Sequence, residues 1–320
     1  MSAQDDLARE NRTSRWPTLT GRTWGSMNQS THRVGLPAEV LDDMAGVVGA
    51  EVTVLGRLPG GVNAGALRVQ LGGKAHAVLK AVPRAHPNQL DETLRARRVV
   101  EHMRGRGYPT PAWLGVGATA THVWHLMDFV DGAPAAVLTP SIVEQLMEII
   151  ELQAGQASEP YDHWLYAWRV ATGQESALGG LSGYSSVVSG LVERLRLVCA
   201  GLPPPREAPD MVHADLNPSN VLVRDGAVVA LVDIENAGSG TRATDLTTLM
   251  WHSFQDPLDG VRGQLWTRIL VVVGWEGATM LAATQILLQL EWPIRLGRHD
   301  LIAGVVKRGH RLLDELSALR

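Results

Sequence analysis

The chain is expected to fold as an α+β protein in two lobes, the first built from short antiparallel strands and the second from helices. Three observations predict this. Between Val52 and Phe129, short apolar runs alternate with Gly- and Pro-rich turns. Beyond residue 140 the apolar residues recur with helical spacing. The chain has 320 residues, enough for two cores of ordinary domain size. The boundary falls near Asp131-Gly132. Residues 36–130 then form the first lobe, residues 131–320 the second, and residues 1–35 a polar, aperiodic tail or extension.

The strands follow in order. Val52–Leu58 is the first apolar run, closed by the turn cluster Pro59-Gly60-Gly61-Val62-Asn63. Ala66–Leu71 alternates, Gly72-Gly73 turns the chain, and Ala75–Val82 returns. A helix is expected over Asp91–Gly105, with Leu94, Val99, Val100 and Met103 on one face and Gly105 and Gly107 as its stop. Trp113–Gly117 and His122–Phe129 read as two more strands. In the second lobe, Ser141-Ile142-Val143-Glu144 reads as a capping box opening a helix to Gln156. Ser185–Ala200 is a further helix, and Leu202–Pro209 a connector. Val212–Asp233 reverts to short strands. From Asp245 to Arg320 the chain is mostly helical, with breaks at Pro257, Gly274 and Pro293.

Composition narrows the function classes. Apolar residues make up 45% and charged residues 19%, as in a globular protein. A net charge of −4 leaves no general basic field for nucleic acid or an anionic membrane. The single Cys199 excludes an internal disulfide framework and a cysteine-cluster zinc site. No uninterrupted apolar run approaches the roughly 18 residues of a membrane span, and Met1–Arg12 has no signal-peptide character. A cytoplasmic location is therefore expected. Only three of the 29 basic residues are lysines: Lys74, Lys80 and Lys307. Codon bias accounts for the general scarcity. A lysine inside the apolar run Ala77–Val82 is not filler in such a chain.

The chemistry concentrates in Val212–Asp233. His213-Ala214-Asp215 is followed by Asn217-Pro218-Ser219-Asn220, then by two apolar runs joined at Asp225-Gly226. That dipeptide is a strong hairpin signal. The hairpin folds Asp233 back toward Asn220, with Asp215 on the entering loop. Asn220 and Asp233 offer hard oxygen ligands suited to Mg2+, which takes one or two protein ligands plus substrate phosphates. Asp215 is free to accept a proton from an attacking hydroxyl. This is the division of labour that phosphoryl transfer requires.

The segment resembles the catalytic loop of the aminoglycoside phosphotransferase and choline kinase-like family, relatives of the protein kinases. There the loop reads roughly His-Gly-Asp-x4-Asn, and the later aspartate stands where kinases carry Asp-Phe-Gly. Ala214 replaces the usual glycine, a change that matters only if φ is positive at that position. Ile234-Glu235-Asn236-Ala237-Gly238-Ser239-Gly240 resembles the family's stretch after that aspartate, with Ile234 for the aromatic. Asp245-Leu246 fits its downstream Asp-Leu pair.

The resemblance implies a bilobal protein-kinase-like fold and binding of ATP or GTP with Mg2+. It assigns Asp215 as the catalytic base and His213 as a brace of the loop. Asn220 and Asp233 become metal ligands, and Asp245 a support of the catalytic loop. In the first lobe it makes Lys80 the phosphate-binding lysine and Gly60, Gly61 and Asn63 the phosphate-covering loop. Met127, Asp128 and Phe129 become the strand and hinge beside the purine. The lysine's usual acidic partner is Glu92 or Glu101, with Glu92 nearer the helix start. Substrate contacts fall to Glu235, Asp256 and Trp251, acids and an aromatic suited to a cationic acceptor. The function so implied is phosphorylation of a hydroxyl on a small cationic antibiotic, a resistance activity. The alternatives are a metabolic kinase for choline, a sugar or homoserine, and a kinase-fold binding module without catalysis. A metal-dependent hydrolase using His213 and Asp215 would need further ligands at spacings the stretch does not offer. The oligomeric state is not legible.

Overall fold

The computed structural model describes residues 36–58, 65–73, 75–159, 161–175, 178, 180–254 and 258–320. Gly60, Gly61, Asn63 and Asp256 lie outside the described residues, as does Pro257. The described chain forms two compact units. One holds the residues up to Leu94 together with Leu114–Asp128; the other holds Arg95–Trp113 and Phe129–Arg320.

The first unit is a five-stranded sheet in the order β1-β2-β3-β5-β4. Its strands are β1 (Val52–Arg57), β2 (Leu67–Leu71), β3 (Ala75–Pro83), β4 (Trp113–Ala118) and β5 (His122–Asp128). β1, β2 and β3 form an antiparallel meander, and β5 pairs antiparallel with β3. One face of the sheet carries Leu67, Val69, Ala77, Leu79, Trp124 and Leu126, which pack with Val40 and Met44. Those last two belong to a helix the sequence reading did not anticipate, α1 (Ala38–Val48). It stops at Gly49, whose φ of 66° is the left-handed conformation that glycine adopts without cost. The indole Nε1 of Trp124 donates to Asp43 Oδ2 of α1 at 2.7 Å, so the ring buries its apolar body and keeps its polar atom paired.

Helix α2 (Gln89–Arg104) follows β3. All four of its buried residues, Ala96, Val99, Val100 and Met103, lie in the part that belongs to the second unit.

The second unit contains two small sheets and six helices among its described residues. β6 (Ala133–Pro134), β8 (Val221–Arg224) and β9 (Ala227–Leu231) form one sheet; β7 (Asp210–Val212) and β10 (Gly238–Gly240) pair antiparallel in the other. The helices are α3 (Pro140–Glu151), α4 (His163–Ala171), α5 (Ser186–Val198), α6 (Ala243–His252), α7 (Asp259–Arg295) and α8 (Ile302–Ala318). α3 opens at Pro140, not at a Ser141 capping box. Thr139 is its N-cap and accepts from the Ile142 N–H at 3.3 Å, and proline suits the first helical position that follows. α5 is capped by Ser185, whose Oγ accepts from the Val188 N–H at 3.3 Å.

α7 is broken at Gly274, where φ is 66° and ψ −173°. Pro293 lies within it, in its last turn, without a break. By length and composition α7 is apolar enough to cross a membrane, with a mean hydropathy of 1.5; yet 56% of its most apolar stretch is buried inside the protein. That burial and the Gly274 break are features of a core helix.

Candidate active site

The site is built on the exit of β7. Immediately after Val212 the chain enters a loop whose first residue, His213, is fully buried. Its backbone N–H donates to Asp245 Oδ2 at 2.7 Å, and the Ala214 N–H donates to Asp245 Oδ1 at 3.0 Å. Asp245 lies in the first turn of α6, where helix N–H groups favour a negative charge. Gln153 Nε2 adds a third bond to Asp245 Oδ2 at 2.9 Å and also donates to the Tyr108 hydroxyl at 3.1 Å. Asp245 thus bonds two successive backbone amides of the loop directly. Its burial pushes its carboxyl up from the ordinary range, opposed by His213 and by these bonds. Burial and the Asp245 charge push the Tyr108 phenol up in turn.

Ala214 adopts φ +68°. This is the conformation that the family's glycine accommodates and that a Cβ resists. The next residue, Asp215, has both carboxylate oxygens engaged. Asn217 Nδ2 donates to Oδ1 at 2.8 Å, and Asn220 Nδ2 to Oδ2 at 3.0 Å. Asn220 Nδ2 also reaches the Asp215 carbonyl at 2.9 Å. Asn217 caps the short turn Pro218–Asn220 by accepting from the Ser219 N–H at 2.9 Å. Two amides therefore hold one carboxylate from two sides. His213 Nδ1 accepts from the Asp215 N–H at 3.3 Å. Burial raises the Asp215 carboxyl from its ordinary value; the Asn217 and Asn220 bonds and His213 oppose this, and the nearby Glu235 charge adds to it.

The hairpin forms as its sequence predicts. Val221 pairs with Leu231 and Arg224 with Ala227, and Asp225 (φ 53°) and Gly226 (φ 78°) make the two-residue turn. The register continues one step further, since the Val232 N–H donates to the Asn220 carbonyl at 2.9 Å. Asn220 and Asp233 therefore stand at the same end of the hairpin. Asp233 also has a positive φ, +65°. The donor set fits magnesium. The Asn220 Nδ2 is spent on Asp215, which leaves its amide oxygen as the group available to a cation, and Asp233 contributes a second hard oxygen.

In the first unit, Lys80 lies on β3 opposite His125 of β5. Its neighbour Leu79 faces the core, so Lys80 projects from the other face of the sheet. Met127 is buried in the sheet, and Asp128 ends it. Glu92, one candidate partner of Lys80, has its Oε2 3.5 Å from His86 Nε2. Glu101, the other candidate, pairs with Arg97 at 2.8 Å within α2. Trp251 is not a substrate platform. It is 1% exposed, and the Arg308 guanidinium covers its ring at 5.0 Å.

Several supporting residues were not found by sequence reading. Gln153 and Tyr108 reach Asp245 only through tertiary contact. His163 donates from Nε2 to the Asn236 carbonyl at 2.8 Å; its burial lowers its pKa to about 4. No motif marks any of these.

A β-rich unit and a helical unit bearing this loop and hairpin define the class: a phosphotransferase with the protein-kinase-like fold. The model of one family, the phosphotransferase enzyme family, matches residues 54–281. The chain belongs to that family and is a phosphotransferase. None of the curated proteins matches it by sequence. Among solved structures, it is similar to the aminoglycoside phosphotransferase APH(4)-Ia, with 17% identity and a TM-score of 0.63 over 87% of this chain and 98% of that one. A thermostable mutant of the same enzyme, in ternary complex with ADP and hygromycin B, gives 18% identity and a TM-score of 0.63 over 86% and 98% of the two chains. The macrolide 2'-phosphotransferase MphH from Brachybacterium faecium gives 17% identity and a TM-score of 0.51 over 84% and 97%. At these identities the likeness is one of fold.

Proposed function

We propose that this enzyme transfers the γ-phosphoryl group of ATP or GTP to a hydroxyl of a small cationic antibiotic. The observation that carries the reading is the Asp215 carboxylate, held on both oxygens by Asn217 and Asn220. A carboxylate so held is pre-oriented, and its raised pKa brings it closer to that of an effective proton acceptor. As the acceptor oxygen forms its bond to phosphorus, the bond from phosphorus to the β–γ bridging oxygen breaks. The hydroxyl proton passes to Asp215 and then to solvent, and the nucleoside diphosphate departs.

Asn220 and Asp233 are the residues that would hold Mg2+, whose charge neutralises the phosphates when bound. By resemblance to the family, Lys80 of β3 would bind the phosphates. His213 and Asp245 fix the loop that carries the base. Glu235, whose charge is felt at Asp215, suits an ammonium group on the acceptor. The ligands of the similar structures support the reading at the level of class: APH(4)-Ia was crystallised with ADP and with AMP-PNP, each alongside hygromycin B.

A panel assay of nucleotide consumption tests this. Purified enzyme with MgATP or MgGTP is offered aminoglycosides, macrolides, choline and amino sugars. Acceptor-dependent release of ADP or GDP with a cationic antibiotic is the expected result. Turnover confined to choline or a sugar would replace the antibiotic reading with a metabolic one. Nucleotide binding with no turnover on any acceptor would point to a binding module.

A further inference from the structure

Asp233 is a non-glycine residue in the left-handed region, with φ +65°. Such a backbone persists only when the chain on both sides over-determines it. Upstream the anchors are plain: the Leu231 N–H donates to the Pro109 carbonyl at 2.6 Å and the Val232 N–H to the Asn220 carbonyl at 2.9 Å. Downstream, Asn236 and Ala237 are bonded by side chains and Ser239 by a backbone carbonyl, all from distant parts of the chain. The Asn236 carbonyl accepts from His163 Nε2 at 2.8 Å, and the Ala237 carbonyl accepts from Arg95 Nη1 at 2.8 Å. Gly238 passes so close to Tyr161 that a Cβ there would lie 2.5 Å from the Tyr161 carbonyl oxygen. Ser239 donates to that same carbonyl from its N–H at 2.8 Å and from Oγ at 3.1 Å.

The pinning groups also hold one another. The Arg95 guanidinium lies over the Tyr161 ring at 4.6 Å, and the His163 ring meets the same ring edge-on at 4.8 Å. Asp233, Ile234 and Glu235 lie between the two sets of anchors, and the Ala237 N–H bond to the Ile234 carbonyl at 3.0 Å ties this stretch to the downstream set.

We propose that Arg95 is a positioning residue of the phosphotransfer site: with Tyr161 and His163 it clasps Asn236–Ser239 and so holds Asp233 in its metal-binding conformation. Arg95 sits on α2 between Glu92 and Glu101, the two acids that the resemblance offers Lys80. The helix thus acts on the site through a cation on the Asp233 segment. The inference rests on Asp233 being a metal ligand.

The test uses the full chain with ADP and MgCl2 as probes. Hydrogen exchange reads the segment, and calorimetry reads the magnesium dependence of ADP binding. With the bond to a carbonyl and the guanidinium–ring contact both removed, Arg95→Ala should speed exchange at the Ala237 and Ser239 amides by roughly tenfold and raise the half-saturating magnesium concentration by about three- to tenfold. Arg95→Lys, which retains a donor and a cation, should restore both to within about threefold of the parent. Asp233→Asn should lose the magnesium response but leave exchange at Ala237 and Ser239 unchanged. If Arg95→Ala does not fold, Tyr161→Leu, which keeps the carbonyl and removes the ring, carries the same expectation. An Arg95→Ala protein with parental magnesium dependence, beside an Asp233→Asn protein that has lost it, overturns the inference alone. Full magnesium response in Asp233→Asn overturns the metal assignment and the inference with it. Equal effects of Arg95→Ala and Arg95→Lys, with a fall in melting temperature in both, would make the role structural and also overturn it.

Discussion

Ala214→Gly should stabilise the protein. Ala214 holds φ +68° between the buried His213 and the Asp215 carboxylate. It cannot relax, because the Ala214 N–H and its predecessor's are both bonded to the Asp245 carboxylate, at 3.0 and 2.7 Å. The left-handed conformation costs a residue with a Cβ about 1–2 kcal/mol. Glycine removes that cost but adds about 0.4–1 kcal/mol of unfolded-chain entropy. The net gain is then about 0.5–1 kcal/mol, or roughly 1–4 °C in melting temperature for a domain of this size. Urea denaturation followed by fluorescence would read it, with Ala214→Val as the opposite perturbation. A β-branched side chain is least tolerated at positive φ, so this variant should lose more than about 1 kcal/mol. Activity of Ala214→Gly should stay within about threefold of the parent, because the bonds to Asp245 come from the backbone. If glycine is neutral or destabilising and valine is tolerated, the loop is not strained there, and the account of Asp245 as its restraint fails.

Two further predictions concern pH. The Glu235 charge raises the Asp215 carboxyl, so Glu235→Gln should lower that pKa and move the acidic limb of the kcat profile to lower pH. An unmoved limb would mean that the limb does not report Asp215. His252, in the last turn of α6, is half-buried with its Nε2 out of contact with solvent, and its pKa is lowered to about 4 by desolvation and by Arg308. Its ring is neutral in the folded protein but takes up a proton on unfolding below about pH 6.5, so the folded state loses stability as pH falls from about 6.5 toward 4. The His252 share of that loss is about 2 kcal/mol between pH 7 and pH 5. His252→Leu should abolish this share, and denaturation curves at the two pH values that shift as far as those of the parent would show that His252 is not the neutral group concerned.

What the sequence disclosed follows the range of the interactions concerned. The Asp225-Gly226 turn and the alternation of β2 are local, and each was legible. The loop His213–Asn220 was legible because phosphoryl transfer needs those groups at close spacing along the chain. The start of α3 was misread because Ser141 and Glu144 match a capping box, whereas Thr139, two residues earlier, caps the helix and Pro140 opens it. α1 was missed because only Val40 and Met44 of its eleven residues are buried, too few to set a clear period. Trp251 looked like a binding aromatic because burial by Arg308, 57 residues away, leaves no mark in the sequence. The same is true of Arg95, which meets Ala237 at a separation of 142 residues. Long-range contacts of this kind decide whether a charged or aromatic residue is support or surface.

The proton acceptor is the centre of the account, and single-turnover phosphoryl transfer by Asp215→Ala tests it most directly. Nucleotide and magnesium binding should survive, because Asn220 and Asp233 remain. Transfer to the acceptor should slow on the order of 10²–10⁴-fold, the usual worth of a positioned base. Transfer at a rate near the parent's, with binding intact, would contradict the assignment of Asp215 and with it the mechanism proposed for this enzyme.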